Sequence, residues 1–260
     1  MLFPSDKKIK AIARSLYKIV EKLPILSPHG HCDPSWFSRN KNFTDPSQLL
    51  IIPDHYIFRM LVSQGLSLES LGIFPHDGSS FEQDPIKIWQ LFADYYYLFR
   101  GTPTAMWLDH TFKYVFETTE PLNSSTGLTY FEHISAKLKE SSFKPRALFD
   151  RFNIETLATT DSALDNLKNH KLILDSKWNG NILPTYRPDG IIDPETNDFS
   201  TNLKILEEIT GEDTSTWKGY LAAHASRRAF FIEHGAKASD HGHFTPQTYN
   251  LSEEKASKLY

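Results

Sequence analysis

A chain of 260 residues is long enough to bury one large core or two modest ones. With 40% hydrophobic and 23% charged residues its usage is ordinary for a globular protein, which excludes disorder, collagen and coiled coil. The 28 basic and 32 acidic residues leave net −4 with no long run of one sign, so no nucleic-acid or membrane partner is indicated, and the single cysteine, Cys32, excludes a disulfide framework or cysteine-rich zinc module.

The first residues lack the apolar core of a signal peptide, and no apolar run approaches the roughly 18 residues of a membrane span. The expectation is a soluble cytoplasmic protein. Ile9, Ile12, Leu16, Ile19 and Val20 recur at helical spacing behind Ser5-Asp6, and Leu23-Pro24 ends that helix. Ile25-Leu26-Ser27 is a short strand candidate running into His29-Gly30-His31. The stretch from about 45 to 120 reads as several helices. Pro53-Asp54 starts one that carries Ile57, Met60 and Leu61 and stops at Gly65. Asp84-Pro85 starts another, with Ile88, Leu91, Phe92 and Tyr95 on one face, and Thr102-Pro103 is a cap followed by proline at the first helical position.

From about 145 helices and strands alternate. Residues 145–153 read as helix, 154–161 as a strand with a polar end, and 162–170 as helix. A second strand is expected over 181–189. Leu203, Ile205, Leu206 and Ile209 mark a helix ended by Gly211; Trp217, Leu221 and Phe231 mark another, closed by Gly235. Residues 236–242 read as a third short strand in this half. Alternation of this kind predicts a parallel sheet. Strands that end in His, Asp or Arg predict chemistry at one sheet edge, as on the C-terminal face of a (β/α)8 barrel.

His29 and His31 are two apart, so on a strand both imidazoles point the same way and can reach one divalent ion. With 11 histidines, about half of one His-x-His would arise by chance. The alternative is two half-exposed loop histidines, and for the second pair, His241 and His243, that alternative is the favoured one. On a helix, His55 and Arg59 are i,i+4 neighbours suited to binding a carboxylate or moving a proton, unless they merely form a solvated face. Arg187, between Tyr186 and Pro188, offers a planar fork to a carboxylate or phosphate; a salt bridge to Asp189 is the equal alternative.

The runs His29-Gly30-His31-Cys32-Asp33-Pro34 and Pro53-Asp54-His55-Tyr56-Ile57-Phe58-Arg59, with Phe43 and Asp45-Pro46 between them, resemble the uronate isomerase family of the amidohydrolase superfamily. Ala158-Thr159-Thr160-Asp161, Pro184-Thr185-Tyr186-Arg187-Pro188-Asp189 and Ala238-Ser239-Asp240-His241-Gly242 follow in the family's order. The resemblance implies a (β/α)8 TIM-like barrel with a helical insertion after the first strand. It also implies interconversion of D-glucuronate with D-fructuronate and of D-galacturonate with D-tagaturonate, usually with one divalent metal, often zinc. The family's metal histidines fall on His29 and His31, and its active-site His-Tyr pair on His55 and Tyr56. Arg59 and Arg187 are the expected contacts of the substrate carboxylate.

Family members are much longer, and their later strands bring a Gln-His-Gly and an Asp-x-Arg segment, the aspartate being a metal ligand. Neither segment follows His243 here, and four strand candidates stand where a closed barrel needs eight. The expected fold is therefore α/β, an incomplete barrel: 1–44 the first helix and strand, 45–144 the helical insertion, and 145–260 further β/α units. Such an N-terminal part is expected to be inactive alone and short of metal. Its open sheet edges predict association into a homo-oligomer. The alternatives are a metal-dependent hydrolase of the same superfamily and a non-catalytic fragment.

Overall fold

Aspartate, threonine and proline set where most helices begin. In the computed structural model, which describes residues 3–242 and 247–260, Asp45, Asp54, Asp84 and Thr102 each cap a helix by accepting a backbone N–H. Proline follows directly in Pro46–Leu50, Pro85–Asp94 and Pro103–His110, where its missing N–H costs nothing. With His55–Val62 and Gly127–Leu138, these helices make up a unit spanning Lys41–Leu148. Ile57, Leu61, Ile88, Trp89, Phe92 and Ile134 are buried in its core. Trp89 Nε1 donates to the Gly127 carbonyl at 2.9 Å. A Cβ on Gly127 would come within 2.9 Å of Ala93 Cβ, so only glycine lets the two helices approach this closely.

The second unit comprises Met1–Asn40 and Phe149–Tyr260. Its strands are β1 (Ile25–Ser27), β2 (Ile154–Ala158), β3 (Asp161–Ser162), β4 (Asn181–Leu183) and β5 (Tyr186–Arg187). Three of them form a parallel sheet in the order β1-β2-β4, and β3 pairs with β5, also in parallel. The ladder continues across the gaps: Thr159 N donates to Leu183 O at 2.9 Å, and Asp161 N to Thr185 O at 3.1 Å. Pro184, which has no N–H to give a ladder, sits at the interruption between β4 and β5. The strand expected over 181–189 is therefore two short ones.

Two other expectations are corrected. Residues 163–164 form a turn and 165–167 irregular backbone, and the helix expected from 162 runs over Lys168–Asp175. The Arg227 guanidinium, itself buried, donates to the carbonyls of Ala163 and Asp165 at 2.7 Å, where a helix would have used them internally. Asp165 also accepts the Leu167 N–H, and Leu167 takes φ +54°. Over 236–242 the described backbone makes a single parallel bridge, Ser239 to Tyr186. The helices Phe199–Thr210 and Trp217–Glu233 end as expected, with Gly211 at φ +72° and Gly235 at φ +95°.

Helix Lys7–Val20 is capped by Asp6, yet its apolar stripe of Ile9, Ile12, Leu16 and Ile19 is exposed. Ile25 and Leu26 of β1, the edge of the three-stranded sheet, are exposed as well. Among the described residues no helix is long and apolar enough to cross a membrane.

Candidate metal and substrate site

The polar residues of the second unit gather where its parallel strands end. His29, Gly30 and His31 lie in irregular backbone just beyond β1, not on the strand itself. The Ser27 hydroxyl donates to the His29 carbonyl at 3.2 Å, and the Thr160 hydroxyl to the Gly30 carbonyl at 2.8 Å. A Cβ at Gly30 would stand 3.0 Å from the Ala158 carbonyl, so the segment lies against the end of β2 because residue 30 is glycine. Held this way, the His29 and His31 Nε2 atoms are 3.0 Å apart, their rings nearly edge to face.

His29 Nδ1 faces Asp240 Oδ2 at 3.2 Å. The same oxygen accepts from Arg187 Nη1 at 3.2 Å, while Arg187 Nε donates to Asp189 Oδ2 at 2.6 Å. Asp189 Oδ1 in turn accepts the Gly242 N–H at 3.1 Å. One guanidinium thus stands against two carboxylates, which leaves one net negative charge while the histidines are neutral. That balance attracts a cation. The 3.0 Å between the nitrogens is also close to the spacing of two nitrogens on one zinc ion, about 3.3 Å for bonds of 2.0–2.1 Å. The pair therefore fits a divalent ion as part of its ligand set. Among the described residues no group of three or more His, Cys, Asp or Glu side chains converges on one point. His243, half of the second His-x-His pair, lies outside the described residues.

Thr159 and Thr160 point to opposite sides of the chain, as successive extended residues do. Thr160 reaches Gly30, and Thr159 enters a buried network. Its hydroxyl donates to Asp161 Oδ2 at 2.7 Å and lies 2.9 Å from His170 Nε2; Thr185 N also donates to Asp161. Burial pushes the Asp161 carboxyl up and the His170 imidazole down. His170 Nδ1 has no hydrogen-bond partner, so a charged ring would orphan an N–H in the core, and neutral His170 is favoured.

His224 is held similarly. Its Nδ1 lies 2.8 Å from the Tyr186 hydroxyl oxygen, its Nε2 is buried without a partner, and burial together with nearby Arg228 pushes it down to about 4. The unfolded chain protonates His224 near 6.5, whereas the fold keeps it neutral to about 4. Stability from this group is therefore complete above 6.5 and lost as pH falls toward 4, amounting to roughly 3 kcal/mol. Lowered His170 adds in the same direction; raised Asp161 opposes it. Urea midpoints at pH 7, 5.5 and 4.5 should fall steadily, and less in His224→Gln. Equal slopes in the two proteins would contradict the assignment.

His55, Tyr56 and Arg59 belong to the helical unit. Asp54 caps their helix by accepting the Tyr56 N–H at 2.8 Å. The His55 and Tyr56 rings lie 4.3 Å apart, tilted by 35°, and both side chains and Arg59 are exposed. Arg187 makes the ion pair with Asp189 that was the alternative to a ligand role, and a second with Asp240. The residues that pattern reading missed are Thr160, Asp240 and the Asp161–His170 pair. Their signal was position: all but His170 stand at the polar end of a strand or bridge.

The fold is thus α/β, with a few parallel strands whose ends collect histidine, arginine and carboxylate. Residues 7–260 match the model of the glucuronate isomerase family, and the chain belongs to that family. It is 52% identical to the uronate isomerase of Mesorhizobium japonicum over 260 residues, which is all of this chain and 55% of that one. The Rhizobium meliloti uronate isomerase is 49% identical, with the same shares covered. The crystal structure of glucuronate isomerase from Caulobacter crescentus superposes with TM-score 0.93 at 49% identity, covering 99% of this chain and 54% of the other. The Thermotoga maritima uronate isomerase gives 0.84 at 29%, covering 96% and 53%. The chain spans about half the length of the curated relatives it matches.

Proposed function

We propose that this chain supplies part of the active site of a cytoplasmic uronate isomerase, an incomplete (β/α)8 barrel of the amidohydrolase type with helices inserted after the first strand. The reaction is the aldose–ketose interconversion of D-glucuronate with D-fructuronate and of D-galacturonate with D-tagaturonate. The observation that carries this reading is the approach of His29 and His31 Nε2 to 3.0 Å beside the Asp240-bound Arg187, in a chain of this family.

Such a reaction moves one proton between adjacent carbons and relocates hydroxyl protons. His29 and His31 would hold one divalent ion, zinc in the first instance, which supplies Lewis acidity at the carbonyl or hydroxyl oxygen of the substrate. Arg187, with Nε and Nη1 already engaged, presents Nη2 to the substrate carboxylate and keeps that end away from the reacting carbons. His55 and Tyr56 pair an imidazole with a phenol and serve to move the hydroxyl proton, while Arg59, one helical turn on, is a second carboxylate contact. The resemblance implies a further, acidic metal ligand, and we infer that it lies in the part of the relatives' length that this chain does not span.

The test joins this chain to the remaining segment of the Mesorhizobium japonicum enzyme and assays it on both uronates. Conversion is expected. Hydrolysis of an amide or ester with no action on either uronate would replace this reading by that of a metal-dependent hydrolase. Alone, the chain is proposed to associate with a second copy through the exposed stripe of helix Lys7–Val20 and the edge of β1. Sedimentation equilibrium checks this, with a monomer at every concentration as the contrary result.

A further inference from the structure

Two neutral imidazoles cannot present lone pairs to each other across 3.0 Å, so one proton lies between the Nε2 atoms of His29 and His31. Asp240 determines whose it is. His29 Nδ1 stands 3.2 Å from Asp240 Oδ2 in an ion-pair contact, and a carboxylate oxygen at that distance repels a bare nitrogen lone pair, which favours the ring proton on Nδ1. His29 Nε2 is then the acceptor, and the proton between the rings belongs to His31. Asp240 Oδ2 also takes Arg187 Nη1, and with Nε on Asp189 the fork has only Nη2 fully free of these carboxylates. Asp240 is itself placed by backbone, its N–H donating to the Tyr186 carbonyl at 3.0 Å beside the bridge at Ser239.

We propose that Asp240 is a positioning residue that fixes His29 in the Nδ1–H tautomer, leaving Nε2 open to a metal ion, and sets which edge of Arg187 a ligand meets. The part concerning the ion rests on the reading of His29 and His31 as metal ligands; the tautomer does not. Carboxylates behind a ligating histidine typically contribute 10–100-fold in metal affinity.

Nitrogen-15 imidazole spectra of the 260-residue chain test this, recorded metal-free about two pH units above the ordinary histidine value of about 6.5. His29 is expected as Nδ1–H and His31 as Nε2–H. Added zinc alone should convert His31 to Nδ1–H and leave the His29 tautomer unchanged. Asp240→Leu should release His29 from the Nδ1–H form and weaken zinc binding 10–100-fold. Asp240→Asn, which keeps an acceptor oxygen, should retain the tautomer. Unchanged His170 and His224 signals would mark an intact fold in each variant. A wild-type His29 found as Nε2–H, or one that stays Nδ1–H in Asp240→Leu, overturns the proposal. Zinc that moves neither ring, while the tautomer still follows residue 240, overturns the metal reading and upholds the assignment of Asp240 to His29.

Discussion

Alanine in place of His29 or His31, in the chain joined to the remaining segment of a relative, is expected to lower kcat/KM on glucuronate by about 10³-fold or more. That corresponds to roughly 4 kcal/mol of transition-state stabilisation. The two Nε2 atoms lie 3.0 Å apart and among the described residues no group of three or more His, Cys, Asp or Glu forms, so in the proposed site each would be a large share of what holds the ion. The double variant should lose little more than either single one, because both act through the same ion. Steady-state kinetics, with metal content measured on the same samples, gives the result. Full activity and full metal in either single variant would remove the pair from the mechanism.

Trp89→Ala is expected to cost the helical unit about 3–5 kcal/mol. Trp89 is fully buried, with ring centroids 5.5 Å from Phe92, 6.1 Å from Phe112 and 6.4 Å from Phe131. Its buried indole N–H is satisfied by the Gly127 carbonyl, where the helix Gly127–Leu138 starts. Trp89→Phe keeps an aromatic ring in the core but loses the bond and leaves a smaller cavity, so about 1–3 kcal/mol is expected. Urea unfolding followed by circular dichroism separates the two. A loss below about 1 kcal/mol in the alanine variant would mean that the aromatic cluster is not what holds this unit together.

What could be read along the chain was mostly local. Asp54, Asp84 and Thr102 mark helix starts because their side chains bond N–H groups two or three residues away, and Gly211 marks an end because the backbone there takes a positive φ. Residues 162–170 misled because the deciding groups come from elsewhere: Arg227, more than 60 positions on, takes the carbonyls a helix would need. The same holds at the site. His29-Gly30-His31 is visible as a run, but Asp240 acquires its part only when the bridge from Ser239 to Tyr186 brings it beside both His29 and Arg187. Helix Lys7–Val20 carries a clear apolar stripe by periodicity, and periodicity says nothing of what lies against it.

The central claim is that this chain contributes two histidine ligands to a metal site whose remaining ligands come from elsewhere in the relatives' length. The most direct measurement is elemental analysis of the 260-residue chain, purified without chelator, beside a uronate isomerisation assay on the same preparation. Two nitrogens fall short of the three protein ligands usual for catalytic zinc, so far less than one ion per chain and negligible turnover are predicted. About one tightly held zinc per chain, with turnover, would contradict the account.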